Sequence, residues 1–170
     1  MRFTYRRLVG LLCIGYALYV FADAAMAAES KNGANKADIE RGRYLVVVGT
    51  CNDCHAMGFA ESEGKTPESE WLTGSSIGFQ GPWGTSYASN LRLVAQSLNE
   101  DQWVKRARSP MRPPMPWYTL RDMRESDVRA IYRYIRSLGP KGEPAPAYVP
   151  PGEKAVAPYF SMEPQNLPAK

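Results

Sequence analysis

The sequence is poor in the residues that build metal clusters and disulfide frameworks. Its 170 residues include only one histidine and three cysteines. A single histidine excludes a bis-histidine metal site within the chain, and three cysteines are too few for a disulfide scaffold. Hydrophobic residues make up 44% of the chain and charged residues 22%. This composition is that of an ordinary globular domain, and it excludes both intrinsic disorder and a polytopic membrane protein.

The N-terminus has the three parts of a secretory signal peptide. Arginines in residues 1–7 precede an apolar run over residues 8–21, and Ala25-Met26-Ala27 supplies small residues at the cleavage spacing. An uncleaved membrane anchor is the alternative, but the run of about 14 residues is shorter than the roughly 20 that span a bilayer. We therefore expect cleavage after Ala27 and export to a bacterial periplasm. Membrane contact is expected only through a partner complex or an uncleaved signal.

A concentrated stripe of basic residues is also missing. The net charge is +4, but Arg2, Arg6 and Arg7 contribute to it, and removal of residues 1–27 lowers it to +2. The other lysines and arginines are dispersed along the chain. A nucleic-acid partner is therefore not expected.

Helical periodicity occurs in three segments of the remaining chain. The first helix is predicted over about residues 36–49 with Asn35 as its cap, and the third over about residues 126–138. The second is predicted over residues 99–108, where Asn99 and Gln102 have the spacing of a capping box. The chain is therefore predicted to run as helix, long loop, helix, loop, helix and tail.

The other segments lack a sustained period. Residues 56–98 contain six glycines. An irregular loop of that length is expected in a compact domain only if it packs around a bound group that takes the place of a hydrophobic core. Residues 139–170 contain eight prolines, which favour extended conformations and cannot form a second core. The predicted layout is therefore a signal peptide (1–27), a linker (28–36), a domain (37–138) and a Pro-rich C-terminal arm (139–170). The arm either packs on its own domain, frays, or docks a partner.

One pentapeptide carries the chemistry. Cys51-Asn52-Asp53-Cys54-His55 has the C-x-x-C-H pattern of c-type haem attachment. Two thiols three positions apart can each form a thioether with one haem vinyl group, and the adjacent histidine can bind the iron. The motif occurs once, so one covalently bound haem c is expected, held by Cys51 and Cys54 with His55 as an axial iron ligand.

Two other chemistries use cysteine pairs. A C-x-x-C redox disulfide needs no histidine, and no βαβ pattern surrounds the motif. A structural zinc site requires four protein ligands. The only cysteines and histidine after residue 27 are Cys51, Cys54 and His55. A zinc site would therefore need a carboxylate as its fourth ligand.

The second axial ligand is predicted by elimination, because no second histidine exists. Five methionines follow residue 27, and Met57 is too close to His55 to reach the opposite side of a haem. Met115 lies between two prolines, which stiffen the backbone and free it from helix or strand hydrogen bonds. Met115 is the predicted ligand. Met111, or a site left open or filled without methionine, stays as the alternative.

These features together resemble a class I c-type cytochrome. The resemblance rests on an N-terminal helix running into C-x-x-C-H, a glycine-rich loop, a late Met-Pro and an amphipathic C-terminal helix, and it covers residues 37–138. Gly42-Arg43-Tyr44-Leu45, Ser89-Asn90-Leu91 and Pro114-Met115-Pro116-Trp117-Tyr118 are similar to segments of the small haem subunits of periplasmic dehydrogenases. The family implies an all-α fold of three to four short helices around one haem.

The expected function is transfer of single electrons from a dehydrogenase or respiratory donor to an acceptor, by a periplasmic carrier that is either soluble or the small subunit of such a complex. A periplasmic dehydrogenase subunit is the candidate redox partner. The chain is not expected to be an enzyme, since His/Met ligation fills both axial positions of the iron and raises its potential. Two alternatives stay open: a haem enzyme or gas or peroxide sensor whose sixth site opens, and a purely structural haem subunit. Candidate side chains near the second ligand and the haem carboxylates, for which ordinary packing or solvation is the favoured interpretation, are Trp83, Tyr87, Trp117, Tyr118, Asn90, Arg92 and Arg108.

Overall fold

The computed structural model describes residues 35–164. The predicted signal peptide, residues 1–27, and most of the predicted linker, residues 28–36, lie outside the described residues. The chain divides by its internal contacts into two units, residues 1–38 and residues 39–170. The core, the sheet and the candidate site all lie within the second unit. Within residues 35–164, no helix combines the length and the apolar character needed to cross a membrane.

Six α-helices account for most of the regular structure in the described residues. They are α1 (35–48), α2 (Cys51–His55), α3 (Leu91–Ser97), α4 (Glu100–Ala107), α5 (Trp117–Asp122) and α6 (Glu125–Ser137). A single 3₁₀ turn covers Glu68–Glu70. The three helices predicted from periodicity are confirmed as α1, α4 and α6, with ends that differ by one residue. Asn35 is already helical, so it lies inside α1 and does not cap it from outside.

Helix α4 begins where the sequence predicts it to begin. The Asn99 side chain accepts a hydrogen bond from the Gln102 backbone N–H at 2.9 Å, and the Gln102 side chain accepts from the Asn99 N–H at 2.9 Å. This reciprocal pair satisfies two N–H groups that the first helical turn leaves without partners. The capping box is therefore formed as predicted.

A three-stranded sheet departs from the all-α expectation. Strands β1 (Gly78–Gly81) and β2 (Gly84–Tyr87) form an antiparallel hairpin, and β3 (Tyr159–Ser161) pairs in parallel with β1. The strand order is β2-β1-β3. The mostly helical fold is as expected, but the described residues hold six α-helices where three to four were expected, and they include a small sheet that an all-α fold does not have. The strands have four residues or fewer and include three glycines, so they carry no alternating pattern that a sequence reading could detect.

The Pro-rich arm packs on the hairpin and forms the third strand of its sheet. Thr85 and Val149 exchange two backbone hydrogen bonds, of 2.8 and 3.0 Å, before the chain reaches β3. Gly84 makes this approach possible, because a Cβ at this position would lie 2.2 Å from the Val149 carbonyl oxygen. An extended, proline-containing segment suits an edge strand of a sheet, where few backbone donors are needed.

The core lies between α1, α4 and α6. Gly42 on α1 allows the backbone of α6 to come very close, since a Cβ on Gly42 would lie 2.0 Å from the Ala130 carbonyl oxygen and 2.8 Å from the Tyr134 Cβ. Val46, one turn further along α1, is fully buried. The other buried members of this core are Trp71, Leu72, Ala95, Trp103, Val104, Ala107, Val128, Ile131, Tyr134 and Ile135.

Replacement of Gly42 by alanine is expected to destabilise the fold. The added methyl group must displace the α6 backbone, and overpacking of this kind costs about 2–3 kcal/mol. We expect the melting temperature, followed by far-UV circular dichroism, to fall by roughly 10 °C. Glu40→Ala, an exposed position on the same helix, serves as the control and should melt within about 2 °C of the wild type. Equal melting temperatures for both variants would contradict the close crossing of α1 and α6.

Candidate haem-binding site

Helix α2 places the predicted attachment residues on one side of the chain. At about 100° per residue, positions 51, 54 and 55 fall within about 100° of one another around the helix. Cys51 and Cys54 are half-buried free thiols, and His55 is buried. Asp53 lies on the opposite side of the helix and is exposed. The five-residue helix therefore presents two thiols and one imidazole together.

The His55 ring is held by the main chain. Its Nδ1 lies 2.7 Å from the Ser89 carbonyl oxygen. A carbonyl oxygen can only accept a hydrogen bond, so Nδ1 carries the proton and donates. In the neutral ring this leaves the lone pair on Nε2, which is the arrangement found in histidines that bind metals.

The protonation state of His55 fits the same role. Burial lowers the pKa of the imidazole, and the positive charge of Arg106 lowers it further, while the hydrogen bond to Ser89 raises it. With the pKa lowered, the ring is neutral at pH 7.

A close contact between two loops fixes the Ser89 carbonyl. The Gly74 N–H donates to the His55 carbonyl at 2.7 Å, and the Ser75 N–H donates to the Ala88 carbonyl at 3.0 Å. Gly74 has a positive φ of 86°, and a Cβ there would lie 2.8 Å from the Asn90 backbone nitrogen. A larger residue would therefore push the two loops apart and move the acceptor that orients His55.

Both thiols are protonated at neutral pH. Burial raises the pKa of Cys51 to about 11 and raises that of Cys54, with the negative charge of Asp53 adding to both effects. Within residues 35–164, no group of three or more histidine, cysteine, aspartate or glutamate side chains is arranged to hold a metal ion. Cys51 and Cys54 are thus two neutral thiols beside the His55 imidazole, whose Nε2 has a lone pair.

Met115 belongs to a separate segment, the loop between α4 and α5. It is half-buried, its N–H donates to the Arg112 carbonyl at 3.2 Å, and its carbonyl accepts from the Trp117 N–H at 2.9 Å. Met111, the alternative ligand, is half-buried in the same loop. Helix α2 brings Cys51, Cys54 and His55 together, whereas the assignment of Met115 as the second axial ligand stays a prediction.

Two features of the described residues bear on whether a haem fits here. One is the group of two thiols and an imidazole, and the other is a pair of buried polar side chains without hydrogen-bond partners. Two free thiols beside an imidazole with its Nε2 lone pair available are the groups that covalent attachment and iron ligation need. Trp103 Nε1 on α4 is a buried donor with no hydrogen-bond partner in the described part of the chain, and neither polar atom of the Asn52 amide has one there. Trp103 lies on the buried side of α4, together with Val104 and Ala107. The residues present fit the group that the sequence motif predicts.

Two candidates for the haem carboxylates have other partners. Arg92 is buried and donates to the main-chain carbonyls of Ser69 at 2.8 Å and Gly139 at 2.6 Å, and also to that of Leu138. It therefore binds the carboxyl end of α6. Asn90 caps α3 by accepting from the Leu93 N–H at 3.1 Å. Both side chains have structural roles, which is the interpretation that the sequence favours.

The aromatic candidates are distributed around the hairpin and α5. Trp83 Nε1 donates to the Phe79 carbonyl at 3.3 Å. The Trp117 ring lies 5.3 Å from the Arg121 guanidinium, and Tyr118 is exposed. What sequence reasoning missed is the role of Ser89 as the hydrogen-bond acceptor that orients His55. Ser89 acts through its backbone carbonyl, which no side-chain pattern reveals.

Comparison with known proteins gives a family match and one named relative. The family model "Cytochrome c" matches residues 39–139. A subunit of a nicotinate dehydrogenase from Pseudomonas putida is 25% identical over 120 residues, which are 64% of this chain and 9% of the relative. The chain therefore spans about a tenth of the length of that curated relative. No solved structure gives a significant match.

Proposed function

Because this chain belongs to the cytochrome c family, we propose that it is a periplasmic monohaem electron carrier with His/Met ligation of its iron. Covalently bound haem c is the cofactor that the family implies, and it supplies reversible one-electron oxidation and reduction of iron. The observation that carries the proposal is the His55 geometry. A C-x-x-C-H helix holds a neutral imidazole by Nδ1 and leaves the Nε2 lone pair to bind iron.

Cys51 and Cys54 attach the cofactor in this proposal. Each thiol would hold the haem by a thioether to one vinyl group, with the thiol hydrogen taken up by the other carbon of that vinyl group. Two thioethers from one short helix also fix the orientation of His55 relative to the cofactor.

Met115 completes the coordination. Its thioether sulfur is a soft, neutral ligand that raises the reduction potential of a haem iron. With this position filled, exogenous ligands such as peroxide or gases have no open site. The chain would therefore transfer electrons without substrate chemistry and would not act as an enzyme.

The redox partner is proposed to be a dehydrogenase. The similarity to a protein named as a dehydrogenase subunit supports this class of partner. The predicted signal peptide over residues 1–27 supports a periplasmic location. Affinity purification from the native cell envelope, with haem staining, is expected to recover the chain together with a dehydrogenase. Recovery of the haem protein free of any dehydrogenase, from both membranes and periplasm, would contradict the partner assignment.

Spectroscopy and voltammetry of the purified holoprotein test the function itself. We expect a low-spin ferric spectrum, a near-infrared sulfur-to-iron charge-transfer band and one reversible one-electron wave. The band reports methionine ligation, and the single wave reports one haem. A high-spin ferric spectrum would contradict the carrier and would instead favour an enzyme or sensor with an open sixth site.

A further inference from the structure

The loop that carries Met115 is attached to the β1–β2 hairpin. Ser86 Oγ on β2 donates to the Pro113 carbonyl at 2.5 Å, two residues before Met115. Ser89, three residues after Ser86, supplies the carbonyl that holds His55. The short segment 86–89 therefore contacts both His55 and the loop of Met115.

The C-terminal arm makes a second attachment to the same loop. The Arg112 guanidinium lies over the Tyr148 ring, 3.9 Å from its centroid. The Tyr148 hydroxyl donates to the Trp83 carbonyl at 2.7 Å, in the turn between β1 and β2. Tyr148 thus contacts the Met115 loop with its ring and the hairpin with its hydroxyl.

Backbone pairing holds Tyr148 in this place. Its neighbour Val149 exchanges two hydrogen bonds with Thr85, and β3 then pairs in parallel with β1. The Asn90 side chain binds the start of the arm by donating to the carbonyls of Lys141 at 2.7 Å and Glu143 at 3.2 Å. The arm is therefore fixed on both sides of Tyr148. It lies almost wholly beyond the family match, which ends at residue 139.

We propose that Tyr148 and Arg112 are positioning residues for Met115. Met115 lies three residues after Arg112, and its N–H donates to the Arg112 carbonyl. A guanidinium stacked on a ring that is itself anchored restricts the backbone that presents the sulfur. Loss of the stacking lets the loop open more often, which weakens the sixth ligand without removing it. This inference rests on the proposed axial role of Met115.

The test is competition for the sixth position by imidazole, titrated into the ferric holoprotein. A cation–π contact of ordinary strength changes the opening equilibrium by about fivefold, and the apparent affinity of a competing ligand follows the open fraction. Tyr148→Leu and Arg112→Met are therefore each expected to bind imidazole about fivefold more tightly than the wild type. Arg112 is exposed, so its variant tests the contact even if Tyr148→Leu folds poorly.

Two control variants separate positioning from general loosening of the arm. Tyr148→Phe keeps the ring under Arg112, and the backbone pairing of Val149 with Thr85 still holds position 148 when the hydroxyl is lost. This variant is therefore expected to bind imidazole within about twofold of the wild type. Phe160→Leu removes an aromatic ring from β3, where the centroids of the Phe160 and Phe79 rings lie 6.0 Å apart. Its imidazole affinity should also match that of the wild type.

Three outcomes decide between the inference and the function on which it rests. A tighter imidazole affinity in Tyr148→Leu and Arg112→Met, with unchanged controls, supports the inference. Unchanged affinity in both variants, in a wild type that shows the sulfur-to-iron band, overturns the inference and leaves the proposed function intact. A wild type without that band overturns the axial role of Met115, and the positioning role falls with it.

Discussion

Replacement of both Cys51 and Cys54 by alanine is expected to yield exported protein without covalently bound haem, at less than about a tenth of the wild-type amount. The regular elements of the described chain from residue 56 to residue 90 are only one 3₁₀ turn and a small hairpin, so little regular secondary structure holds this segment in place. A group that binds only the folded state stabilises it, and a loss of a few kcal/mol lowers the cellular amount of a protein several-fold or more. Immunoblotting, haem staining and limited proteolysis of the exported fraction measure the effect.

The single variants serve as controls for this experiment. Cys51→Ala and Cys54→Ala each leave one thioether and His55, so they are expected to accumulate to intermediate amounts with haem still attached. Asp53→Asn changes an exposed position between the two cysteines and should leave both haem content and amount unchanged. Abundant, protease-resistant protein from the double variant would show that the fold does not need its cofactor.

Replacement of Met115 by histidine is expected to lower the midpoint potential by on the order of 100 mV or more, within the roughly 0.8 V range over which axial ligands act. An imidazole donates more electron density than a thioether and stabilises the ferric state, whereas methionine ligation raises the potential. The sulfur-to-iron charge-transfer band should disappear in the same variant. Protein-film voltammetry and near-infrared absorption of the ferric protein measure the two effects.

Met111 provides the matched control, since it is a half-buried methionine in the same loop. Met111→Leu should keep both the band and the wild-type potential, while Met115→Leu should lose the band. The reverse result would assign the ligand to Met111. Turnover of the purified partner complex adds a test of function. Turnover that is unaffected by a large change of potential in Met115→His would indicate a structural haem subunit.

Sequence reasoning predicts those parts of the fold that depend on neighbouring residues. Helix α4 begins at its capping box because Asn99 and Gln102 are three residues apart and bind each other's backbone. Cys51, Cys54 and His55 are brought together by one helix that contains all three. In both cases the spacing along the chain determines the spacing in the structure.

The sheet could not be predicted because its pairing is non-local and its strands are very short. Phe79 pairs with Ser86 on one side and with Phe160 on the other, and Phe160 is 81 residues away in the chain. In the sequence, the three glycines of the hairpin indicate a loop. In the structure, Gly78, Gly81 and Gly84 allow the C-terminal arm and the aromatic rings to come close to the hairpin backbone. The physical reason is close packing, which a local pattern does not encode.

The surroundings of the site were equally hidden in the sequence. His55 is oriented by a backbone carbonyl, and any residue at position 89 would supply one. Arg92 has the character of an anion-binding side chain, but three carbonyl oxygens from residues 69, 138 and 139 surround it. These interactions depend on where distant loops meet.

Mass spectrometry of the purified polypeptide shows whether a haem is covalently attached to Cys51 and Cys54. The intact chain is predicted to carry the added mass of one haem, and digestion should place that mass on the peptide containing Cys51, Cys54 and His55, with both sulfurs modified. A polypeptide of unmodified mass, with two thiols that an alkylating reagent can label after denaturation, would contradict the account.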